Sequence, residues 1–364
     1  MMMPDDAHGK SSGARTGSRA GSDVGALPGS VASHRTEGLL GGLDIGGTKC
    51  AAVLGRATAD GIVIVGKRMF PTPGTPELAM SALMATLDAL LVQHSQSGAL
   101  KAVGVSCGGP LDSRLGLILS PPNLPGWDRV DVLSPLRERY RVPAAVQNDA
   151  NACALAEWKW GAGRGTRNMI FLTFGTGMGA GLILNGALYA GTNDMAGEVG
   201  HMRLEEDGPV GYGKSGSFEG FCSGGGIAQL ARSMAQEWHS AGKRSTMIGA
   251  DGREPDGGLS ARVVGEAAQS GDELALRIME RIGRQLGRGL AILVDVLNPE
   301  RIVIGSIYAR QESLLAPIAL EELRREALPH SLAACKIVPS GLRENVGDAA
   351  SLSVAQYAWD AANG

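Results

Sequence analysis

No stretch of this 364-residue sequence approaches the roughly 18–20 consecutive apolar residues that a membrane-crossing helix needs. Basic runs are also missing: 34 Lys and Arg stand against 37 Asp and Glu, for a formal net charge of −3, so a nucleic-acid partner is not expected. Aromatic residues reach only 4%. No C-x-x-C pair occurs. The five cysteines, Cys50, Cys107, Cys153, Cys222 and Cys335, are odd in number and widely spaced, which excludes a disulfide framework and fits small buried hydrophobes in a reducing cytoplasm. Residues 1–36 lack the apolar core of a secretory signal, and Asp5, Asp6, Asp23 and Glu37 disfavour a transit peptide. A Gly-x-x-x-x-Gly-Lys-Ser/Thr phosphate loop is absent as well.

Glycine is abundant instead, at 54 residues, about twice the usual share. Close backbone approaches and tight turns should follow. Residues 1–38 read as a disordered tail of Gly, Ser and Ala, and the rest as two α/β domains over 39–147 and 148–364, with the last helix free to pack back on the first domain. In the first, Leu39 to Asp44, Cys50 to Leu54 and Ile62 to Phe70 form a strand meander. Thr75 caps a helix whose apolar positions are Leu78, Leu83, Leu87, Leu90 and Leu91, and Lys101 to Ser106 is a strand. In the second, Asn168 to Phe174, Gly181 to Leu184 and Ala187 to Tyr189 are strands. A helix opens at Ser223, the segment from Ser240 to Gly258 is an exposed loop, and a long helix runs from Leu274 to just before Asn298-Pro299. Gly283 and Gly287 sit one turn apart inside it, and a close helix approach would compensate their cost of about 1 kcal/mol each relative to Ala.

Two glycine turns attract attention. Asp44-Ile45-Gly46-Gly47-Thr48-Lys49 sets a carboxylate at a strand end, with glycines whose backbone N–H groups can face an anion; a plain hairpin turn is the alternative. Asp44 supplies an oxygen ligand suited to Mg²⁺, directly or through water. Gly175-Thr176-Gly177-Met178-Gly179 is followed by the strand-like Leu182-Ile183-Leu184, not by the helix that a dinucleotide fingerprint requires. Two strand–turn–strand loops in two halves suggest a nucleotide clamped between domains. Asn148 and Asp149 fall at a helix start, where an N-cap role and a proton-accepting role both fit.

These motifs, with Ser120-Pro121-Pro122-Asn123-Leu124-Pro125-Gly126-Trp127 and Gly197-Glu198-Val199-Gly200-His201, closely resemble the ROK family of sugar kinases and repressors. The resemblance implies an actin-like, ribonuclease-H-type pair of α/β domains with a cleft between them. It implies an ATP- and Mg²⁺-dependent hexokinase-type activity, with glucose as the expected acceptor and fructose, mannose and N-acetylhexosamines as alternatives. Polyphosphate remains open as donor, and a dimer or tetramer is expected. By the same resemblance Asp149 is the general base, while Asn148, Glu198, His201, Glu219 and Gly109, with its neighbours Gly108 and Pro110, bind sugar. Gly46, Gly47, Thr48, Lys49, Gly175, Thr176, Gly177, Gly305 and Ser306 would hold the nucleotide.

One departure stands out. Where most members carry the cysteines of a structural zinc site, this chain has Val210-Gly211-Tyr212-Gly213-Lys214-Ser215-Gly216-Ser217-Phe218-Glu219. His201 and Cys222 cannot supply the four ligands zinc requires, so no structural zinc is expected, and packing by Val210, Tyr212 and Phe218 should hold the loop. A repressor of the same family would carry a helix-turn-helix ahead of Asp44. The 43 residues preceding it show no helical periodicity. A catalytically silent sugar-binding scaffold is the third reading, disfavoured by the intact Asp44, Asp149 and glycine loops.

Overall fold

The computed structural model describes residues 38–364; the expected tail therefore falls almost wholly outside the described residues. The chain folds as two α/β domains with the actin-like arrangement. The first contains β1 (Leu39–Ile45), β2 (Lys49–Ala57), β3 (Ile62–Pro71), α1 (Pro76–Gln93), β4 (Leu100–Cys107), the small strands β5 (Leu111–Asp112), β6 (Leu117–Leu119) and β7 (Asp128–Asp131), α2 (Leu133–Tyr140) and β8 (Ala144–Asn148). Its five-stranded sheet has the order β3-β2-β1-β4-β8, antiparallel across the β1–β2–β3 meander and parallel from β1 through β4 to β8.

The chain continues through α3 (Asp149–Trp160), β9 (Met169–Phe174), β10 (Met178–Leu184), β11 (Ala187–Tyr189), the hairpin β12 (Val210–Gly211) and β13 (Lys214–Ser215), and α4 (Phe218–Phe221). Then come α5 (Gly224–Ser240), α6 (Ala261–Gln269), α7 (Glu273–Leu297), β14 (Arg301–Ile304), α8 (Ser306–Arg310), α9 (Glu312–Glu326), α10 (Pro329–Ala334), β15 (Lys336–Pro339) and α11 (Val346–Asn363). The second five-stranded sheet, β11-β10-β9-β14-β15, repeats the plan of the first: an antiparallel meander, then two parallel additions. No helix among the described residues is long and apolar enough to cross a membrane.

Local chemistry explains most boundaries. Thr75 caps α1 by accepting the Leu78 N–H, with Pro76 at the first helical position, and Ser223 caps α5 by accepting the Gly226 N–H at 3.1 Å. In α1, Leu83, Leu87 and Leu90 are buried as expected and Leu91 is half-buried, but Leu78 is 60% exposed, and Ala79 and Met80 take its place on the buried face. The segment 240–258 is largely exposed as expected, but Met247 is buried, and the Asp272 carboxylate that caps α7 also binds Ser245 and Thr246. The cysteines are free, and all but Cys153 are buried.

Helix α11 returns to the first sheet: a Cβ on Gly42 of β1 would lie 2.3 Å from Ser351 Oγ, and one on Gly104 of β4 would lie 2.2 Å from the Ala355 nitrogen. In α7, Gly283 and Gly287 face α9. A Cβ on Gly287 would meet Ala319 O and Glu322 Cβ, both at 2.6 Å. Sterics and helix propensity therefore oppose each other there. Gly287→Ala should lower the unfolding free energy by about 1–3 kcal/mol, whereas Gly347→Ala, where nothing lies within 4 Å of the added carbon, should raise it by about 0.5–1 kcal/mol. Urea denaturation of the two variants checks both signs.

Candidate active site

Register delivers the acidic groups to one edge of the first sheet. Because β1, β4 and β8 are parallel neighbours, Asp44 lies beside Ser106 and Cys107 beside Asn148, so the carboxyl ends of all three strands face the same way. Strand β8 passes into α3 without a loop. Asn148 keeps an extended backbone and caps α3, its Oδ1 accepting the Asn151 N–H at 2.7 Å. Its NH₂ group has no partner among the described residues and is free to donate. Capping thus uses one end of the carboxamide and leaves the other open.

Asp149 is the first residue of α3, and its Oδ1 accepts the Ala150 N–H at 2.9 Å. The side chain is open to solvent, but protein surrounds it and the water that reaches it is confined to a cavity. Desolvation therefore raises its carboxyl above the ordinary range, against the lowering effect of the N–H groups of Ala150 and of Asp149 itself. Asp44 is pushed up to about 6, chiefly by desolvation, then by repulsion from Asp149 and Asp348, with Lys67 and Lys49 opposing. Glu198 is raised by desolvation and by Asp149 and Glu219, and His201 opposes the shift.

The cavity has a volume of about 630 Å³ and lies between the domains. Gly109, Pro110 and Asn148 line it from the first sheet's side; Asp149, Glu198, His201, Glu219, Gly175, Thr176, Gly177, Gly305 and Ser306 complete the wall. The glycine turn from β9 to β10 is tightly held: Glu219 accepts the Met178 N–H at 3.0 Å, Thr173 accepts the Gly179 N–H at 2.8 Å, and Gly224 donates to the Gly175 carbonyl at 2.8 Å. A Cβ on Gly177 would sit 2.9 Å from Glu219 Oε2. Ser306 takes a left-handed backbone, φ 53°, with Oγ 3.3 Å from the Cβ position of Gly175.

The other expected nucleotide turn is not part of this wall. Gly46, Gly47, Thr48 and Lys49 follow Asp44 directly, but the turn is tied to Thr72, whose hydroxyl donates to Gly46 O at 2.6 Å, and Gly47 is crowded by the Asn123 carbonyl. Asp44 is likewise absent from the lining and reaches Asp149 only electrostatically. A second cavity, of about 510 Å³, shares Gly175, Thr176 and Ser306 with the first and adds Arg262, Arg310 and Gln311. Those three carried no motif in the sequence. Asp194, Met195 and Tyr212 were also missed, though Tyr212 stands edge-on to His201 with ring centroids 6.4 Å apart.

The loop expected to rely on Val210, Tyr212 and Phe218 is built differently. Phe218 is fully buried, but Val210 is 45% and Tyr212 74% exposed, because apolar side chains on a two-residue hairpin have no layer above them. Polar contacts hold the loop instead. The Gln229 carboxamide bridges Val210 N and O, each at 3.0 Å, Lys214 donates to His201 O at 2.7 Å, and Gly216 O accepts the N–H groups of Leu204 and Glu205. Glu205 is then anchored to α7 by Gln285 at 2.5 Å, Arg281 at 2.9 Å and Arg288 at 3.1 Å, and Arg288 continues to the buried Glu322 at 2.9 Å. The donor set does not fit zinc: Cys222 is wholly buried with Sγ toward Ile282 O, while His201 faces the cavity.

Metal analysis of purified protein should find no stoichiometric zinc, and Glu205→Ala, not chelator, should lower the melting temperature, increasingly so at low ionic strength. For Asp44 the raised pKa means the ionised form is disfavoured in the fold, a penalty present in full above about 6 and removed as pH falls toward its ordinary value of 3.8. Asp44→Asn should therefore stabilise the ligand-free protein by about 1–3 kcal/mol at pH 8 and by nearly nothing at pH 4, as read by denaturation at the two pH values.

Comparisons with known proteins agree with this architecture. The model of the ROK family matches residues 40–355. The chain is 34% identical over 294 residues to a glucokinase of Halalkalibacterium halodurans, covering 79% of this chain and 86% of that one. It is 33% identical over 291 residues to an N-acetylmannosamine kinase of Escherichia coli, covering 79% and 89%. The solved structure of a ROK family glucokinase from Streptomyces griseus, in complex with glucose and AMPPNP, aligns with a TM-score of 0.68 at 30% identity, over 88% of this chain and all of that one. Matched over most of its length in sequence and in fold, the chain belongs to the ROK family.

Proposed function

We propose that this sugar kinase transfers the γ-phosphoryl group of ATP to a hydroxyl of a hexose, with glucose as its preferred acceptor and Asp149 as the general base. The observation that carries the reading is Asp149, a desolvated carboxylate at a helix N-terminus, in one cavity wall with Glu198, His201, Glu219 and the Gly175–Gly177 turn. The carboxylates and the imidazole offer fixed acceptors and donors to sugar hydroxyls, and the Asn148 NH₂ adds a donor. Backbone N–H groups of the glycine turn suit phosphate oxygens, and the adjoining cavity with Arg262 and Arg310 suits the rest of the nucleotide.

In the reaction, the sugar hydroxyl gives its proton to Asp149 as its oxygen bonds to the γ-phosphorus and the bond to the β-phosphate oxygen breaks, releasing ADP. Positioning and charge stabilisation do most of the work. Magnesium, bound with ATP, supplies neutralisation of phosphate charge. Asp44 would hold it, directly or through water, and the mutual repulsion of Asp44 and Asp149 is the electrostatic situation a hard divalent cation relieves. The exposed Gly46–Lys49 turn beside Asp44 is assigned the outer phosphates. The cytoplasm, which supplies ATP and keeps thiols reduced, is the proposed compartment.

Asp149→Asn should bind glucose with near wild-type affinity while losing about 10²- to 10⁴-fold in kcat; wild-type turnover would sink the assignment. The ionised carboxylate is the active form and its pKa is raised, so kcat/KM should begin to fall with decreasing pH above the ordinary carboxylate range. A pH profile reads this. A panel of glucose, mannose, fructose and N-acetylated hexosamines with ATP and Mg²⁺, ranked by kcat/KM, tests the acceptor.

A further inference from the structure

Asp194 is a buried carboxylate, 9% exposed, that the phosphoryl-transfer scheme does not use. No Lys, Arg or His among the described residues pairs with it, and both its oxygens are engaged by one residue of the other domain: Ser113 donates its N–H to Oδ2 at 2.8 Å and its hydroxyl to Oδ1 at 2.7 Å. Ser113 lies in the turn between β5 and β6, shaped by Asp112 Oδ1, which accepts the N–H groups of Arg114 and Leu115. A second cross-link runs parallel, from Arg114 Nη2 to Thr192 O at 2.8 Å.

The segment that bears Asp194 is built as a rigid hook. Ala196 donates to Ala190 O at 3.0 Å and closes it; Gly191 and Gly197 turn at its ends with φ of 83° and 94°. Its foot is fixed to β10 by the Ala180 N–H bonding to Gly197 O at 2.8 Å. Asp194 itself has φ 61°, a left-handed conformation that a non-glycine residue adopts at a cost. Glu198 follows the foot directly, and the hook, through Asp194 and Met195, and β5 beside the turn, through Leu111, contribute to the same cavity wall as Glu198. A buried carboxylate whose hydrogen-bond donors all come from the other domain is a costly way to join two domains, and burial of apolar surface would do so with less penalty.

We propose that Asp194 is a positioning residue of the sugar pocket: by gripping Ser113 it clamps the β5–β6 turn to the hook and so sets Glu198 and closes the sugar side of the cleft. This rests on the kinase reading above. None of the clamp's hydrogen bonds involves the Gly175–Gly177 turn, so its loss should act on the sugar and not on ATP.

The test combines kinetics with hydrogen exchange on the full-length protein. In Asp194→Ala the KM for the best hexose should rise about 10- to 100-fold and in Ser113→Ala about 3- to 10-fold, the usual worth of charge-assisted hydrogen bonds. The ATP KM should stay within about twofold and kcat should fall less than the sugar KM rises. The double variant should match Asp194→Ala, because each group acts through the other. In sugar-free protein, the Ser113 amide should lose exchange protection in Asp194→Ala. An unchanged sugar KM, independent multiplication of the two effects, or an equal rise in both KM values would overturn the proposal. Should Asp194→Ala fail to fold, Ser113→Ala and Asp194→Asn carry the same comparison. If wild-type protein phosphorylates no hexose, the kinase reading fails by itself; if it does and the sugar KM of the variants is unmoved, only the clamp fails.

Discussion

Two carboxylates that repel each other hold the centre of this structure. Asp44 ends one parallel strand and Asp149 begins the helix after another, and the single strand between them keeps them close enough for the Asp149 charge to disfavour ionisation of Asp44. Nothing in folding rewards that arrangement. It is the electrostatic cost that the roles proposed for the two groups, toward a metal ion and a transferring proton, would offset, and the helix N-terminus under Asp149 favours its anion against desolvation.

Around that centre the second domain is fastened by contacts that each do more than one task. Glu219 offers a carboxylate to the cavity and also pins the glycine turn through Met178. The loop carrying it is bound to α7 through Glu205, and α7 to α9 through Glu322. Arginines on α7 thus tether the loop, through ion pairs that stay partly exposed to solvent. Glu322 is buried beneath Arg284, Arg288 and Arg325, which makes its partners hard to remove singly.

The two sheets share one strand order although their sequences share no repeat. The plan places a strand–turn–strand loop at corresponding positions in both halves, Gly46–Lys49 and Gly175–Gly177. Yet only the second lines the cavity. The first is held by Thr72 and the Asn123 carbonyl instead, contacts between residues far apart in the chain.

The amino-acid sequence by itself determined the alternation of strands and helices, the caps at Thr75 and Ser223, the helix start at Asn148-Asp149 and the glycine turn that leads into a strand. All are governed by neighbours within a few positions, through periodicity, capping and backbone freedom. The same locality made Asp149, Glu198, His201 and Glu219 readable as a set only through a family pattern. Tertiary structure alone decided which groups meet: Arg262 and Arg310 across the second cavity, Glu205 on its arginines, Asp194 on Ser113, and the exposure of Val210 and Tyr212. Such pairings depend on the packing of whole elements, where the partner of a side chain is chosen by geometry between layers and leaves no trace in the spacing of the chain.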